Sequence, residues 1–565
     1  MLKLIHSENL EPPLPKSEQQ GGRAMTDRTT NGQTNVLHDP LADSPLAPSA
    51  TAIGSHTASC SARASSMNPR WRIGDFSVLG LWIVVVSFTI SYHEKWTDEA
   101  QSWLIARDLD LRTLWFHELR YEGSPGLWHT ILWVAQHVFH AKYGAISYIG
   151  MAGATAGVAL LIFKAPFPRI IRWPLAFTYF MVYQYAVIAR PYTLLPLLAF
   201  ASAILFKDIR HPERMTVVLV LLANLSLHGT ILAGCFGLAY LIEAVRSWRT
   251  LEAGVRMRYQ ICVAAMALTF LFLFVILKPT PDIDVFVRNR KIAQLPPDIR
   301  AQVDTAPLQK LSAVITGAFL DYWWPSVLFV ALVGAWCWTR RRFLLFVLPV
   351  GPLIALYFVQ GGPHHHGVLF ITAITALWIA WPDNQERHGF GVRESWAAHG
   401  MVFLLLCLCA VNIWGGAVAI HHEYLYPYSG AEDAAKYLKS VGADREPMFG
   451  IGIGMVGVQA YFDHNILANT STAYFHHGLP SHGLTVDGGE LQRVNPEYVV
   501  IYSMNPEEML QLNIAQFHVY GYDVVHFSDG YNLYKRGTSQ REAYFILRRI
   551  GPGAAQAPAH LDSSR

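Results

Sequence analysis

The chain has 565 residues, of which 52% are hydrophobic, 13% aromatic and only 15% charged; a typical soluble domain carries about a quarter charged. Uncharged runs longer than about 16 residues recur, each long enough to cross ~30 Å of hydrocarbon, so the composition excludes an ordinary water-soluble globule. A formal net charge of +3 carries no footprint for nucleic acid, and the chain reads as an α-helical polytopic membrane protein.

Residues 1–66 are rich in Ser, Thr, Gly, Ala and Pro without apolar periodicity, which reads as a disordered segment. "MNPRWRIGD" (67–75) would serve equally as a start, leaving the upstream stretch outside the translated protein. Apolar runs then occupy 76–92, 126–141, 143–163, 173–189, 191–206, 215–242, 261–277, 322–339, 343–360, 367–381 and 397–420. They predict about eleven to thirteen spans, with 215–242 either one long helix or two short ones broken near Asn224–Gly229. The first run is too long for a signal-peptide core and has no small-residue cleavage site, so it reads as an anchored span.

Arg70 and Arg72 place the N-terminus in the cytoplasm, and Arg246–Arg258 and Arg340–Arg342 belong on the same side. Asp98 and Glu99, the 278–321 loop and everything after residue 420 then lie outside. Strict alternation puts the basic stretches Lys164–Arg172 and Lys207–Arg214 outside as well, against the rule. The conflict disappears if 126–163 crosses once net and 215–242 crosses twice, which brings Arg190 and His228 to the outer side.

The 278–321 loop has a Pro-rich, charged first half and an apolar second half, "LSAVITGAFLDYWW" (311–324). It reads as a docked loop able to cover a lipid-linked substrate. After residue 420, "SGAEDAAKYLKSVG" (429–442) reads as an amphipathic helix with Ser429 as cap. "EYVVIYS" (497–503) and "YDVVHFSD" (522–529) read as strands. Residues 421–550 are thus expected to form a small outer α/β domain and 551–565 a polar, disordered tail. Of the six cysteines, none falls in a CxxC pair, and they read as small core hydrophobes.

"KWTDEAQSWLIARD" (95–108) leaves the first span and at once presents Asp98 and Glu99. Helix capping explains two acids there, with Thr97 as cap and the acids offsetting the macrodipole. A functional role explains them as well. Trp103, Leu104, Ala106 and Leu109, then Leu114, Trp115 and Leu119, outline interfacial helices. "EGSPGLWHT" (122–130) re-enters the membrane through Gly123, Pro125 and Gly126. The result is a shelf at the bilayer surface where a lipid-linked head group can lie.

Three further features stand out. Arg190 is the sole charged residue between Arg172 and Lys207; it either ends a helix at Pro191 or faces a cavity, as charges at such depth usually do. His228 in "LSLHGTIL" fits a histidine bonded to a neighbouring carbonyl or a polar contact for a ligand. "GGPHHHGVLF" (361–370) follows a Gly-Gly-Pro turn with three histidines, which adjacent positions on a helix seldom bring to one metal ion.

The pattern D-E-A-x-x-W-x-x-A-R-D-L (98–109), the Gly-x-Pro-x-Leu entry (123–127) and "IARPYTLL" (188–195) resemble the GT-C membrane glycosyltransferases. The likeness extends to protein O-mannosyltransferases, aminoarabinose transferases acting on lipid A, and rhizobial galacturonosyl transferases. It covers residues 70–420 in layout, with its sharp motifs in 96–195. One departure is that Pro125 is followed by Gly126 where a second proline is common.

The resemblance implies transfer of a sugar from a polyprenyl phosphate carrier to an acceptor hydroxyl at the outer, periplasmic face of the inner membrane, usually with inversion. It maps the base onto Asp98, with Glu99 orienting Asp98 or the acceptor, and places Trp103, Arg107 and Pro125 on the acceptor side. The lipid phosphate leaving group needs cationic or hydrogen-bonding contacts, for which Arg190 and His228 are candidates. A histidine at the start of a late span, His365 or His366, is implied beside the same phosphate. Some members use a divalent cation, but no second acidic cluster completes an oxygen-rich site, so no cofactor or metal is expected. The acceptor stays open among lipid A, polysaccharide and protein, and so does the sugar. A transporter or flippase of lipid-linked saccharide is the rival class, but it should show paired broken helices in repeat halves. A non-catalytic envelope scaffold is the other rival, and it has no need of the acidic pair.

Overall fold

A computed structural model of the chain describes residues 69–280, 297–359, 365–382, 391–476, 488–504, 506, 514–533, 535 and 539–550. The expected disordered segments 1–66 and 551–565 lie outside the described residues. Five helices have the length and hydropathy to cross a membrane: Ile73–Tyr92, Ala145–Lys164, Leu227–Arg246, Ala253–Leu277 and Val392–Leu425. A sixth candidate is the pair Leu308–Ala318 and Trp323–Thr339, bent by 73°, and Pro191–Leu205, Leu344–Phe358 and His366–Ala380 are shorter apolar helices.

Two apolar runs read as spans take another form. Residues 126–141 contain the 11-residue helix Leu127–His137, about 16 Å long, which lies against the Thr97–Asp108 helix. There Trp133 Nε1 donates to the Leu109 carbonyl and Gln136 Nε2 to that of Trp103. Residues 173–189 form no continuous helix either. The short helix Arg169–Ala176, which contains Pro174, gives way to a single π turn, Phe180–Gln184, and then to irregular backbone. Every residue from Tyr179 to Ala189 is buried, and broken backbone at membrane depth is tolerated where protein encloses it.

The 215–242 run is two helices, Pro212–Ala223 and Leu227–Arg246, turning at Asn224–Ser226. Relative sidedness follows from contacts. Near the start of the first helix, Asp75 accepts two bonds from Arg169 at 3.1 Å each and one from Trp173 at 2.9 Å. This brings the basic 164–172 stretch to the same end of the bundle. The Ala145–Lys164 helix runs parallel to 189–205 through glycines that let the backbones touch. A Cβ on Gly153 would lie 2.4 Å from Leu194, and one on Gly157 2.8 Å from the Leu197 nitrogen. Residues 207–214 therefore end on the same side, where Glu213 pairs with Arg258 at 3.2 Å and Glu243 with Arg342 at 2.7 Å. Among the described residues the basic stretches 164–172, 207–214, 246–258 and 340–342 share one end of the bundle, and Arg190 and His228 sit towards the other.

The second half of the expected 278–321 loop is helical, Pro297–Ala318, because its apolar positions pack against Leu344–Val359 and His366–Ala380. Residues 281–296 lie outside the described residues.

After the Val392–Leu425 helix comes a four-stranded sheet, β1 Met448–Ile451, β2 Tyr498–Ser503, β3 Tyr522–Leu533 and β4 Ser539–Arg549. The strand order is β1-β2-β4-β3. β1 and β2 are parallel, and the β2–β4 and β3–β4 pairs are antiparallel. Alternation sends Met448, Val500, Tyr502, Tyr544 and Ile546 to one face under the Ala431–Ser440 helix, and Phe449, Val499, Ile501, Phe545 and Leu547 to the other. The sheet domain is not a free appendage. Val456, Ala460, Tyr474, Phe475 and Leu533 belong to the same apolar core as the membrane helices.

Candidate active site

The first span ends at Tyr92, and a helix restarts at Thr97 with Trp96 as its N-cap residue. The cap is made by the acid rather than by Thr97: Glu99 Oε2 accepts the Trp96 backbone N–H at 3.0 Å. Adjacent residues on an α-helix diverge by about 100°, so the two carboxylates part company. Glu99 is fully buried. Asp98 keeps 27% of its side chain exposed and meets Arg190, whose Nη2 lies 3.0 Å from Asp98 Oδ2.

Glu99 also determines where Arg190 stands. Its Oε1 accepts the backbone N–H of Ala189 at 2.8 Å. Pro191 then opens a 3₁₀ turn, Pro191–Leu194, whose first φ proline presets. The backbone is thus held on both sides of Arg190. From the same turn Tyr192 lies 3.0 Å through its hydroxyl from His228 Nδ1, and the Arg190 guanidinium carbon lies 5.9 Å from the Tyr192 ring centre. The His228 ring is 4.5 Å from that of His365, and Tyr357 donates to the His365 carbonyl at 3.0 Å. His228 is 5% exposed, and its Nε2 has no hydrogen-bond partner among the described residues. Four of the expected residues, Asp98, Arg190, His228 and His365, form one continuous strip through Tyr192. His366 turns instead onto Gly317, where a Cβ would lie 2.3 Å from its Nδ1.

The residues expected on the acceptor side make protein contacts of their own. Trp103 is buried against Tyr143, ring centres 5.8 Å apart. Arg107 pairs with Asp108 and donates to the Phe462 carbonyl of the sheet domain. Pro125 is buried, and Gly126 takes the place of a second proline because a Cβ there would lie 2.8 Å from both Leu119 and Trp115. Among the described residues no group of three or more His, Cys, Asp or Glu side chains is placed to hold a metal ion.

Behind Glu99 lies a relay that sequence reasoning missed. His93 Nε2 donates to Glu99 Oε2 at 3.0 Å and His93 Nδ1 to Glu423 Oε1 at 2.9 Å. Tyr183 donates to the same Glu423 oxygen at 2.6 Å. The side chains of His93, Glu99 and Glu423 are fully buried. Burial opposes the imidazolium, but Glu423 and Glu99 outweigh it and push the His93 pKa up to about 10. The available signal was the histidine five residues before Asp98 and the lone acid near the end of the last span.

The sheet domain grips the shelf below this site. Gln101 exchanges both amide bonds with the Phe475 backbone, at 2.6 and 3.2 Å, and His476 lies 3.1 Å from Glu118. Lys535, between β3 and β4, reaches into the membrane helices. It donates to the Gly317 carbonyl at 2.8 Å and lies 3.0 Å from Asp321.

No family model and no curated protein matches the sequence. Two solved structures do. One is ArnT from Cupriavidus metallidurans bound to undecaprenyl phosphate, at 13% identity and TM-score 0.50, covering 86% of this chain and 99% of that one. The other is ArnT from Cupriavidus metallidurans in the apo state, at 14% identity and TM-score 0.48, covering 84% and 98%. The first likeness shows a shared fold, a helical membrane bundle carrying a small sheet domain.

Proposed function

We propose that the protein is an integral membrane glycosyltransferase that moves a sugar from a polyprenyl phosphate carrier to an acceptor hydroxyl at the outer face of the membrane. The observation that carries this reading is the Asp98–Arg190 pair at 3.0 Å, partly exposed at the surface end of the bundle, with the His228 Nε2, unpartnered among the described residues, on the strip beside it. The pair offers a base and a phosphate-binding cation side by side. The solved structure of like fold carries undecaprenyl phosphate, which agrees with the donor class.

In this mechanism Asp98 takes the acceptor proton as the acceptor oxygen bonds to the anomeric carbon. The anomeric C–O bond to phosphate breaks, and its electron pair leaves on the polyprenyl phosphate. Attack from the face opposite the leaving group inverts the anomeric centre. Arg190 and the His228 Nε2–H stabilise the charge gathering on the phosphate. Glu99, whose oxygens serve Ala189, Trp96 and His93, acts as a positioning residue, and the chemistry needs no metal. The basic end of the bundle would face the cytoplasm, putting the site and the sheet domain on the periplasmic side. Lipid A, a polysaccharide and a protein are the acceptor classes to test.

Native mass spectrometry of the purified full chain with undecaprenyl phosphate tests the donor half. The reading expects a one-to-one adduct that weakens in Arg190→Ala and His228→Ala. An adduct equally strong in both variants, or none with wild type, would count against it.

A further inference from the structure

His93, Glu423 and Tyr183 lie outside the strip that would touch donor or acceptor, yet they form a tightly bonded buried group. We infer that they are positioning residues: through Glu99 they hold the Ala189 backbone so that Arg190 stands against Asp98. This rests on the proposed transferase reading and assigns that site its support.

The group ties five separate pieces of chain together. His93 follows the first span, Glu99 starts the next helix, Tyr183 lies in the buried π turn, Ala189 precedes the arginine, and Glu423 ends the last long helix. Carboxylates accept only, so His93 meets both neighbours by donating from both ring nitrogens, which requires the imidazolium; Glu423 Oε2 has no hydrogen-bond partner among the described residues. Two carboxylates and one imidazolium leave a single net negative charge, with the Tyr183 hydroxyl and two backbone N–H groups turned onto it. An apolar cluster of equal volume would serve stability as well or better. What the ionic group adds is direction, because each bond fixes an oxygen and Glu99 Oε1 in turn fixes the Ala189 nitrogen at 2.8 Å. Other charged and titratable groups face it: Tyr428 lies 5.0 Å from His93, ring to ring, Glu94 interacts with His93, Tyr143 and Arg190 with Glu99, and His422 with Glu423, while Asp98 lies beyond Arg190.

The test uses the full chain in detergent, with undecaprenyl phosphate as probe, and compares wild type, Arg190→Ala, Glu423→Gln and the milder Tyr183→Phe. Glu423→Gln should bind about 10-fold more weakly, by analogy with the loss when outer partners of metal ligands are removed, and Tyr183→Phe should shift binding the same way. ¹⁵N spectra of histidine-labelled protein supply a second readout. His93 should carry two N–H protons at pH 8 in wild type and lose one in Glu423→Gln. If both variants bind like wild type while Arg190→Ala loses the probe, the support role is overturned and the transferase reading stands. If wild type does not bind, the donor reading falls. A singly protonated His93 in wild type at pH 8 overturns the support itself, whatever the binding result.

Discussion

Arg190 Nη2 and Asp98 Oδ2 stand 3.0 Å apart, joining a residue just past the first span to one in the buried irregular stretch before Pro191. Each faces the opposite charge of the other. In the proposed reaction a lipid phosphate arriving at Arg190 would compete with Asp98 for the guanidinium, so donor binding would release the Asp98 carboxylate to face the acceptor.

Arg190→Ala should therefore raise KM for the donor more than it lowers kcat. One charge-assisted hydrogen bond contributes about 1.5–3 kcal/mol, roughly 10- to 100-fold in affinity. Arg190→Lys keeps the charge but not the fork geometry and should fall between. Steady-state transfer kinetics decide this, and an Arg190→Ala enzyme with wild-type KM would contradict the assignment.

Glu94 predicts a pH dependence of stability. Burial raises its pKa, followed by Glu432 and Asp433, against Lys436 and His93, and the outcome is about 7. The folded state then holds a proton that the unfolded state releases near 4.5, so stability is full at lower pH and lost as pH rises from about 4.5 to about 7. Thermal unfolding of wild type should fall across that window, and Glu94→Gln should flatten the fall. Parallel curves would refute it.

Lys535 predicts that the sheet domain is needed for the bundle's integrity. Its side chain is 7% exposed, with the ammonium bonded to the Gly317 carbonyl and Asp321 and 5.3 Å from the Phe180 ring centre. Lys535→Ala leaves Asp321 without that cation and should cost about 2 kcal/mol, less than a fully buried pair because Asp321 is partly wet. An unchanged melting temperature would show that the hairpin only rests on the bundle.

Relative sidedness is open to labelling. In a background without reactive thiols, Lys164→Cys and Lys207→Cys should react with an impermeant maleimide from the same side of sealed vesicles. Arg112→Cys should react from the other. Any pairing of Arg112 with Lys164 would break the arrangement inferred from Asp75 and Arg169.

Much of the fold was legible in the residues, and the gaps have physical causes. Hydropathy located the long helices because apolar length is local. It also counted 173–189 as a span, since an enclosed broken segment is as apolar as a helix and only the surrounding protein reveals it. Strands β2 and β3 were readable. β1 is only four residues long, and β4 carries "AYFIL" buried on both faces, so neither alternates. Of the site, Asp98, Arg190, His228 and His365 stood out as polar residues in apolar company. Trp103 and Arg107 came with the motif, which marks a helix without saying which of its faces meets the sheet domain. The bond from Glu99 to Ala189 was invisible, since a backbone N–H leaves no trace in residue identity. His93 and Glu423 were on view, but 330 positions apart.

The most direct measurement is transfer of radiolabelled sugar from polyprenyl-phosphate donors in membranes, comparing wild type with Asp98→Asn at matched expression. The prediction is label in an extractable product with wild type and a loss of about 10²- to 10⁴-fold in the variant, the usual contribution of a positioned base. Equal transfer by the two proteins would contradict Asp98 as the base, and no transfer from any such donor by folded wild type would contradict the transferase itself.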